Sequence, residues 1–399
     1  MEGTPNSLRA TGMLSRPAEA VPFALLAAVA GIGQVAANMP LPSLPSIGAW
    51  FGAGGAELVI AVFLGAFAPA QLVWGPLSDR YGRRPVVLWA LAVFAAGSAL
   101  CALAPSFAAL LAGRALQAVG GAAGLVVARA SLRDGAEGRA LGRGMAGLSM
   151  AIAAVPAFAP LLGAALEQAS SWRLGFWVSA AMGLVVLAWG AAALPETNRT
   201  RTVRLELGAV MHAYRGLWAD RRFRPPAIVA AGAMGGLFAF GAGSPTLYIE
   251  VFGLSPVAYA LYPLIAVAGV VAGGAIARGM MKRGTAGRAL AIGVAMMLGG
   301  GVGMAVLDPL GLFGKHGVNV TMLVFVVGLG FALPAAFAEA LAPFKDRAGA
   351  AASLAGAFQI AAGAAAAAAA SLLPMPVVMA VCGVLAFAGH AGRRAVPPG

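Results

Sequence analysis

The chain has 399 residues, of which 60% are hydrophobic and 10% charged, with a formal charge of +13. A soluble globular chain carries about 25% charged residues, so a water-facing surface cannot be built here, and disorder is excluded because it requires low hydrophobicity. What remains is a polytopic membrane protein, in which the placement of the basic residues matters more than their sum.

In chain order, residues 1–19 form a polar tail that cannot serve as a signal-peptide core. The apolar stretch after it reaches the length of about 20 residues that a bilayer-crossing helix needs. Cutting at charges, prolines and glycines predicts six spans over 20–44, 56–77, 85–104, 106–131, 140–165 and 172–194. Six more are predicted over 227–250, 256–277, 286–307, 318–341, 348–372 and 374–391. The expected organisation is a tail (1–19), a six-helix bundle (20–194), a linker (195–226), a second six-helix bundle (227–391) and a short tail (392–399). With the amino terminus placed in the cytoplasm, 24 of the 27 Lys and Arg fall on cytoplasmic segments, as the positive-inside rule requires. Arg173 and Lys315 fall outside and Arg114 inside a span. One span more or fewer would scramble this separation, so both termini are expected in the cytoplasm.

The linker, Pro195 to Pro226, carries seven arginines. It reads either as a tether with a surface helix around Leu205 to Trp218 lying on anionic lipid, or as a solvated basic connection. The halves also echo one another. GPLSDRYGRR (Gly75 to Arg84) follows the second span, and GGAIARGMMKRG (Gly273 to Gly284) follows the eighth, 198 residues later. A duplicated six-span unit places a small-molecule site between the halves near the midplane and permits alternating access by rocking.

Few side chains in the spans carry chemistry. Arg114 is the one basic residue well inside a span, and an intramembrane charge is costly enough to be a functional candidate by default. Gln117 lies on the same helical face, and Gln34 and Asn38 share a face of the first span. These four are expected either to form a polar wall along the substrate path or to make interhelical hydrogen bonds. Phe63, Phe67, Phe238, Tyr248, Tyr262 and Phe358 are candidates for an apolar cavity. Cys101 and Cys382 sit in apolar runs and read as small hydrophobes. His212, His316 and His390 lie at or beyond the ends of such runs, so neither a metal site nor another cofactor is expected. Without a nucleophile–base pair at membrane depth, an enzyme is not expected either.

In the loop after the second span, Gly75 and Gly82 permit close approach and a tight turn. Asp79 is placed to cap the eleventh span near Ala348 or to pair with Arg129 or Arg133, while Arg83 and Arg84 are placed to meet Asp134. Such pairs form a conformational latch, to which Arg80 also belongs, or they merely enforce topology. GPLSDRYGRRP resembles the signature loop of the major facilitator superfamily. RALQAVGG (Arg114 to Gly121) and PAFAPLLGAAL (Pro156 to Leu166) resemble that superfamily's span-four and antiporter motifs. MPLPSLPSI (Met39 to Ile47), SPTLYIEVFGLS (Ser244 to Ser255) and RAGAAASLAGAFQ (Arg347 to Gln359) are similar to segments of its bicyclomycin/chloramphenicol-resistance (Bcr/CflA) drug-efflux branch.

The resemblance implies an all-α fold of twelve transmembrane helices in two pseudo-symmetric six-helix bundles. It further implies a monomeric exporter of small amphipathic compounds in the bacterial inner membrane, surrounded by lipid, binding no nucleic acid and coupled to protons. Pro156, Pro160 and Gly163 would pack closely against the opposite half and seal it against leak. One departure matters: where that branch carries an aspartate in the first span, this chain has Asn38, and an amide cannot titrate. None of the fourteen acidic residues is predicted at mid-membrane. Glu339, late in the tenth span, is the best remaining proton site. Without an anionic partner, Arg114 would favour neutral or anionic substrates, or the protein would work as a uniporter or metabolite exporter.

Overall fold

A computed structural model describes residues 22–198 and 207–394. The tail 1–19, Arg201 and Arg204 therefore lie outside the described residues, as do Leu205 and Glu206 at the start of the expected surface helix. Fifteen α-helices are present among the described residues. The first half contains α1 (Phe23–Asn38), α2 (Leu44–Phe51), α3 (Leu58–Tyr81), α4 (Arg83–Ala102), α5 (Phe107–Gly135), α6 (Gly138–Ala169) and α7 (Trp172–Ala193). After α8 (Leu207–Ala219) come α9 (Arg224–Pro245), α10 (Pro256–Tyr259), α11 (Tyr262–Lys282), α12 (Ala286–Leu307), α13 (Gly314–Leu341), α14 (Ala348–Ala369) and α15 (Met375–Arg394). Twelve stretches of helix are long and apolar enough to cross a membrane. They coincide with the twelve predicted spans, though the first, second, fourth, fifth and eighth run four to seven residues past the predicted ends and the tenth begins four residues earlier.

Helix ends follow the local chemistry. Proline cannot donate a backbone hydrogen bond, and Pro40, Pro42 and Pro45 end α1 and insert a 3-10 turn, Leu41–Ser43, before α2. Gly52, at φ 58°, stops α2. Ser106 starts α5 by accepting the Ala109 N–H at 3.2 Å, and Ser255 does the same for Ala258 ahead of α10. Pro245 closes α9, and the chain continues into a wide turn over Thr246–Val251.

Because successive spans alternate direction, residues 195–198 and 207–226, the start of α1 and the end of α15 share one end of the molecule, called here the linker end. Residues such as Leu25, Val59, Phe94 and Leu110 fill one apolar core, and Val229, Met297, Phe325 and Met379 fill a second. The two meet where α3 packs on α14, α6 on α11, and α2 on the Thr246–Val251 turn. Ala242 and Ala367 of the second half are buried in the first half's core. These contacts gather toward the far end: Gly65 faces Ala364 and Gly55 faces Ser371. At the linker end Gly142, Gly349 and Gly356 face open space. The described glycine contacts between the halves therefore concentrate toward the far end.

The helix expected near Leu205 to Trp218 is α8. It packs on the second half through Leu217, which is buried against Phe223, Ala227, Ala351 and Ala355. Trp218 lies 4.7 Å from the Phe358 ring. Burying an apolar side chain of this size is worth about 1.5–3 kcal/mol, so this part of the linker is anchored rather than solvated throughout.

Candidate functional site

Arg114 is fully buried, and its neighbours explain how a guanidinium is tolerated there. Pro40 has no N–H to offer Ala36 four residues back, so the Ala36 carbonyl at the end of α1 lacks its helical donor. Arg114 supplies one, with Nη1 donating to Ala36 O at 2.9 Å and to Gln117 Oε1 at 2.6 Å. Its Nε donates to Val59 O on α3 at 3.1 Å. Gln117 passes the chain on, donating to Ser98 Oγ on α4 at 2.8 Å, and Ser98 donates to Phe94 O at 2.8 Å. The guanidinium carbon stands 4.2 Å from the Phe63 ring and 5.8 Å from that of Phe176. A desolvated contact of this type is worth about 2 kcal/mol. Nη2 is buried without a hydrogen-bond partner, and no carboxylate among the described residues pairs with the charge.

This corrects the expected polar wall in part. Arg114 and Gln117 belong to the same network, but both have no exposed surface, so they clamp α1, α3, α4 and α5 together instead of lining an open cleft. Phe63, Phe67 and Tyr248 are buried as well. Tyr248 bonds Asn319 on α13, and its ring lies 4.5 Å from that of Tyr262. Gln34, Asn38 and Phe358 are half-buried. Asn38 is turned back on its own helix, donating to Gln34 O at 2.8 Å.

The loop after α3 holds a second cluster. Arg83 is buried and donates to Asp79 at 2.5 Å, Asp134 at 2.9 Å and Ser78 Oγ at 2.6 Å. The expected meeting of Arg83 with Asp134 is present. Asp79, however, bonds Arg83 four residues on, not Arg129, Arg133 or the start of α14, because the turn at Gly82 brings the Arg83 guanidinium onto its carboxylate first. Arg84 turns away from Asp134 and donates to Ala191 O at 2.7 Å, and Arg80 lies over the Tyr81 ring. Gly82, at φ 102°, makes the turn, and a Cβ there would overlap the Glu196 carboxylate.

Glu196 is a residue the sequence reading missed. Its carboxylate accepts the Arg83 and Arg84 backbone N–H groups at 2.9 and 3.3 Å, capping the positive start of α4. Asn198 beside it donates to Ser78 O and Asp79 O at the end of α3. The available signal was a lone acid just after the sixth span, at the same membrane face as the loop it caps. Gly75 sits near Val126 of α5.

Two further candidates are placed differently from expectation. A Cβ on Gly163 would overlap the Met39 carbonyl of its own half. Its small size therefore serves the α1–α6 contact, although α6 also reaches α11 across the seam. Pro160 is buried and Pro156 half-buried within a continuous α6. Glu339 is held by Arg393 Nη1 at 2.5 and 2.6 Å, an ion pair joining α13 to α15 rather than a free carboxyl.

Residues 23–370 match the family profile described as the Major Facilitator Superfamily. The chain is 29% identical over 390 residues to a Bacillus subtilis protein described as an uncharacterized MFS-type transporter, covering 93% of this chain and 95% of that one. It is 28% identical to multidrug resistance protein D of Escherichia coli K12 over 88% of each chain. With a multidrug resistance protein MdtL of E. coli O127:H6 the identity is 31% over 81% of each. Among solved structures, a bacterial homolog of the human lysosomal transporter Spinster, inward-facing and unoccupied, superposes with a TM-score of 0.73 at 15% identity, covering 94% of this chain and 98% of its own. The E. coli xylose transporter XylE, in a partially occluded inward-open form, gives 0.69 at 15% identity, covering 94% and 97%.

Proposed function

The chain belongs to the Major Facilitator Superfamily and is a transporter, not an enzyme; from that premise we propose that it exports small amphipathic compounds from the bacterial cytoplasm across the inner membrane. On this reading it stands with the bicyclomycin/chloramphenicol-resistance branch, works as a monomer and keeps its linker end in the cytoplasm. The observation that carries the reading is the seam. Contacts between the two six-helix halves gather at one end, an asymmetry that rocking would invert. The sequence likeness to multidrug resistance proteins supports a drug-like substrate.

We further propose that the substrates are neutral or anionic. The first span carries Asn38, and the buried Arg114 has no carboxylate partner, so the first half offers a cationic drug no counter-charge. Proton antiport remains the coupling expected from the resemblance, but it does not run through Asn38, and Arg393 already occupies the Glu339 carboxylate.

Uptake of radiolabelled chloramphenicol, a neutral amphipathic compound, into inverted membrane vesicles tests both points. Accumulation that collapses when the pH gradient is dissipated supports proton-coupled export. Equilibration indifferent to the gradient supports the uniporter reading. No uptake of chloramphenicol, of an anionic analogue or of a cationic dye would overturn export of amphipathic compounds.

A further inference from the structure

The far-end seam holds a carboxylate that the function above does not use. Glu57 stands immediately before α3 and is half-buried. Across the seam, the Thr246 hydroxyl of the second half donates to Glu57 Oε1 at 3.5 Å. Glu250, four residues beyond Thr246 on the same turn, brings a second carboxylate close enough to act on the first. The other elements packed at this corner, α2 and the ends of α9 and α14, bring no titratable side chain near Glu57. Of the basic groups at this end, Arg173 is stacked on Trp50 and Trp172 and bonded to Ala104 O, and Lys315 and His316 stand at the start of α13 with no ion pair to Glu57. No ion pair neutralises Glu57 or Glu250 among the described residues. A half-buried carboxylate therefore meets the opposite half through Thr246, with the exposed Glu250 nearby, across a contact that must open and close in every transport cycle.

We infer that Glu57 is a proton-binding site whose occupancy closes the far end of the transporter. This rests on the alternating-access reading above. With Glu57 neutral, the seam encloses a hydroxyl–carboxyl contact without a charge. With Glu57 ionised, it partly buries an unpaired charge with a second negative charge nearby, and the halves separate to let water in. Burial is the main reason that the Glu57 carboxyl is held above the ordinary carboxylate range, opposed by its hydrogen bonds with its own backbone and with Thr246 and reinforced by Glu250. When the far end opens, water restores the ordinary value. A group whose pKa is higher in the closed state stabilises that state fully below the ordinary pKa, and the stabilisation is lost as pH rises through the raised one. Glu57 lies at the far end, so it reads the acidity of the compartment there. Acid on that side would favour the state open at the linker end.

Spin labels at Leu103→Cys and Leu310→Cys report the far-end separation. Both positions are exposed, at 65% and 62%, one on each half, while the native cysteines are buried. Distances are measured between pH 5 and 8 in lipid nanodiscs. The close population is expected to dominate at low pH and to decline as pH rises, by up to about tenfold for each unit of pKa difference between the states. Glu57→Gln should stay closed throughout, Glu57→Asp should keep the titration, and Glu250→Gln should shift it only slightly toward lower pH. A Glu57→Gln protein that titrates like the wild type, or a wild type without pH dependence, overturns the inference. The same protein in proteoliposomes is assayed with chloramphenicol. Transport without a pH-driven distance change removes the Glu57 site and leaves the exporter reading standing, whereas ends that never move with pH or chloramphenicol overturn both.

Discussion

Both halves turn sharply after their second long helix, yet only the first half locks the turn. After α3, Gly82 makes the bend and Arg83 gathers Asp79, Asp134 and Ser78, while Glu196 caps the start of α4. After α11, Gly284 at φ 74° makes the equivalent bend, and Thr285 donates to Met280 O at 2.8 Å. There Arg278, Lys282 and Arg283 form no ion pair among the described residues. The repeat therefore preserves the backbone device and the positive charge, but the acids that turn charge into a clasp are present on one side alone. The buried polar groups differ in the same way. The first half encloses a full cation at Arg114, whereas the second half relies on neutral pairs, Tyr248 with Asn319 and Ser244 with Tyr259. The buried charge and the charged clasp are thereby concentrated in the first half.

The largest expected effect comes from removing that cation. Arg114→Met should lower chloramphenicol transport at least about tenfold, equivalent to about 1.4 kcal/mol. Thermal stability in detergent should move by less than about 2 kcal/mol, because leaving the Ala36 carbonyl and Gln117 without a donor is offset by no longer burying an unpaired charge. Transport that survives would show that the two halves do not differ in function as their polar groups do.

Next in size is Gly163→Leu, whose side chain must overlap the Met39 carbonyl. Overpacking of this kind costs about 1–3 kcal/mol. Thermal unfolding should show a fall specific to this site, since Gly142→Leu on the same helix meets open space.

The turn comparison is sharpened by Glu196→Gln set against Arg283→Gln. Weakening the charged cap on α4 should cost about 1 kcal/mol, and the second-half substitution less than about 0.5 kcal/mol, as for surface changes generally. Equal losses would mean that the first clasp adds nothing over the bare turn.

The smallest effect belongs to Asp220, where a hydrogen bond from Arg222 on the exposed linker lowers the carboxyl pKa. The stabilisation is present above the ordinary carboxylate pKa and fades as pH falls through the lowered one. Because the pair is exposed and screened, Asp220→Asn should leave unfolding at neutral pH within about 0.5 kcal/mol of the wild type.

Much of this architecture is legible in the amino-acid sequence itself. A backbone in hydrocarbon must satisfy its own hydrogen bonds, so long apolar runs have to be helices. Pro40, Gly52, Ser106 and Pro245 then mark helix ends by local chemistry that needs no distant partner. The site was legible only as a set of residue types. Arg114 announced itself by its charge, but which way it faces could not be read from α5, where alanine and glycine surround the helix and leave no polar stripe to orient it. Packing decided that it closes the orphaned Ala36 carbonyl inside the bundle. Glu196 caps a turn 113 residues earlier in the chain, and Glu57 meets Thr246 across 189. Partners at such separations are chosen by how whole helices pack and not by the residues between them. Span number and helix limits were therefore set by the chain's own hydrophobicity and breakers, while the tertiary structure alone determined which polar groups are locked inside and which stand across the moving seam.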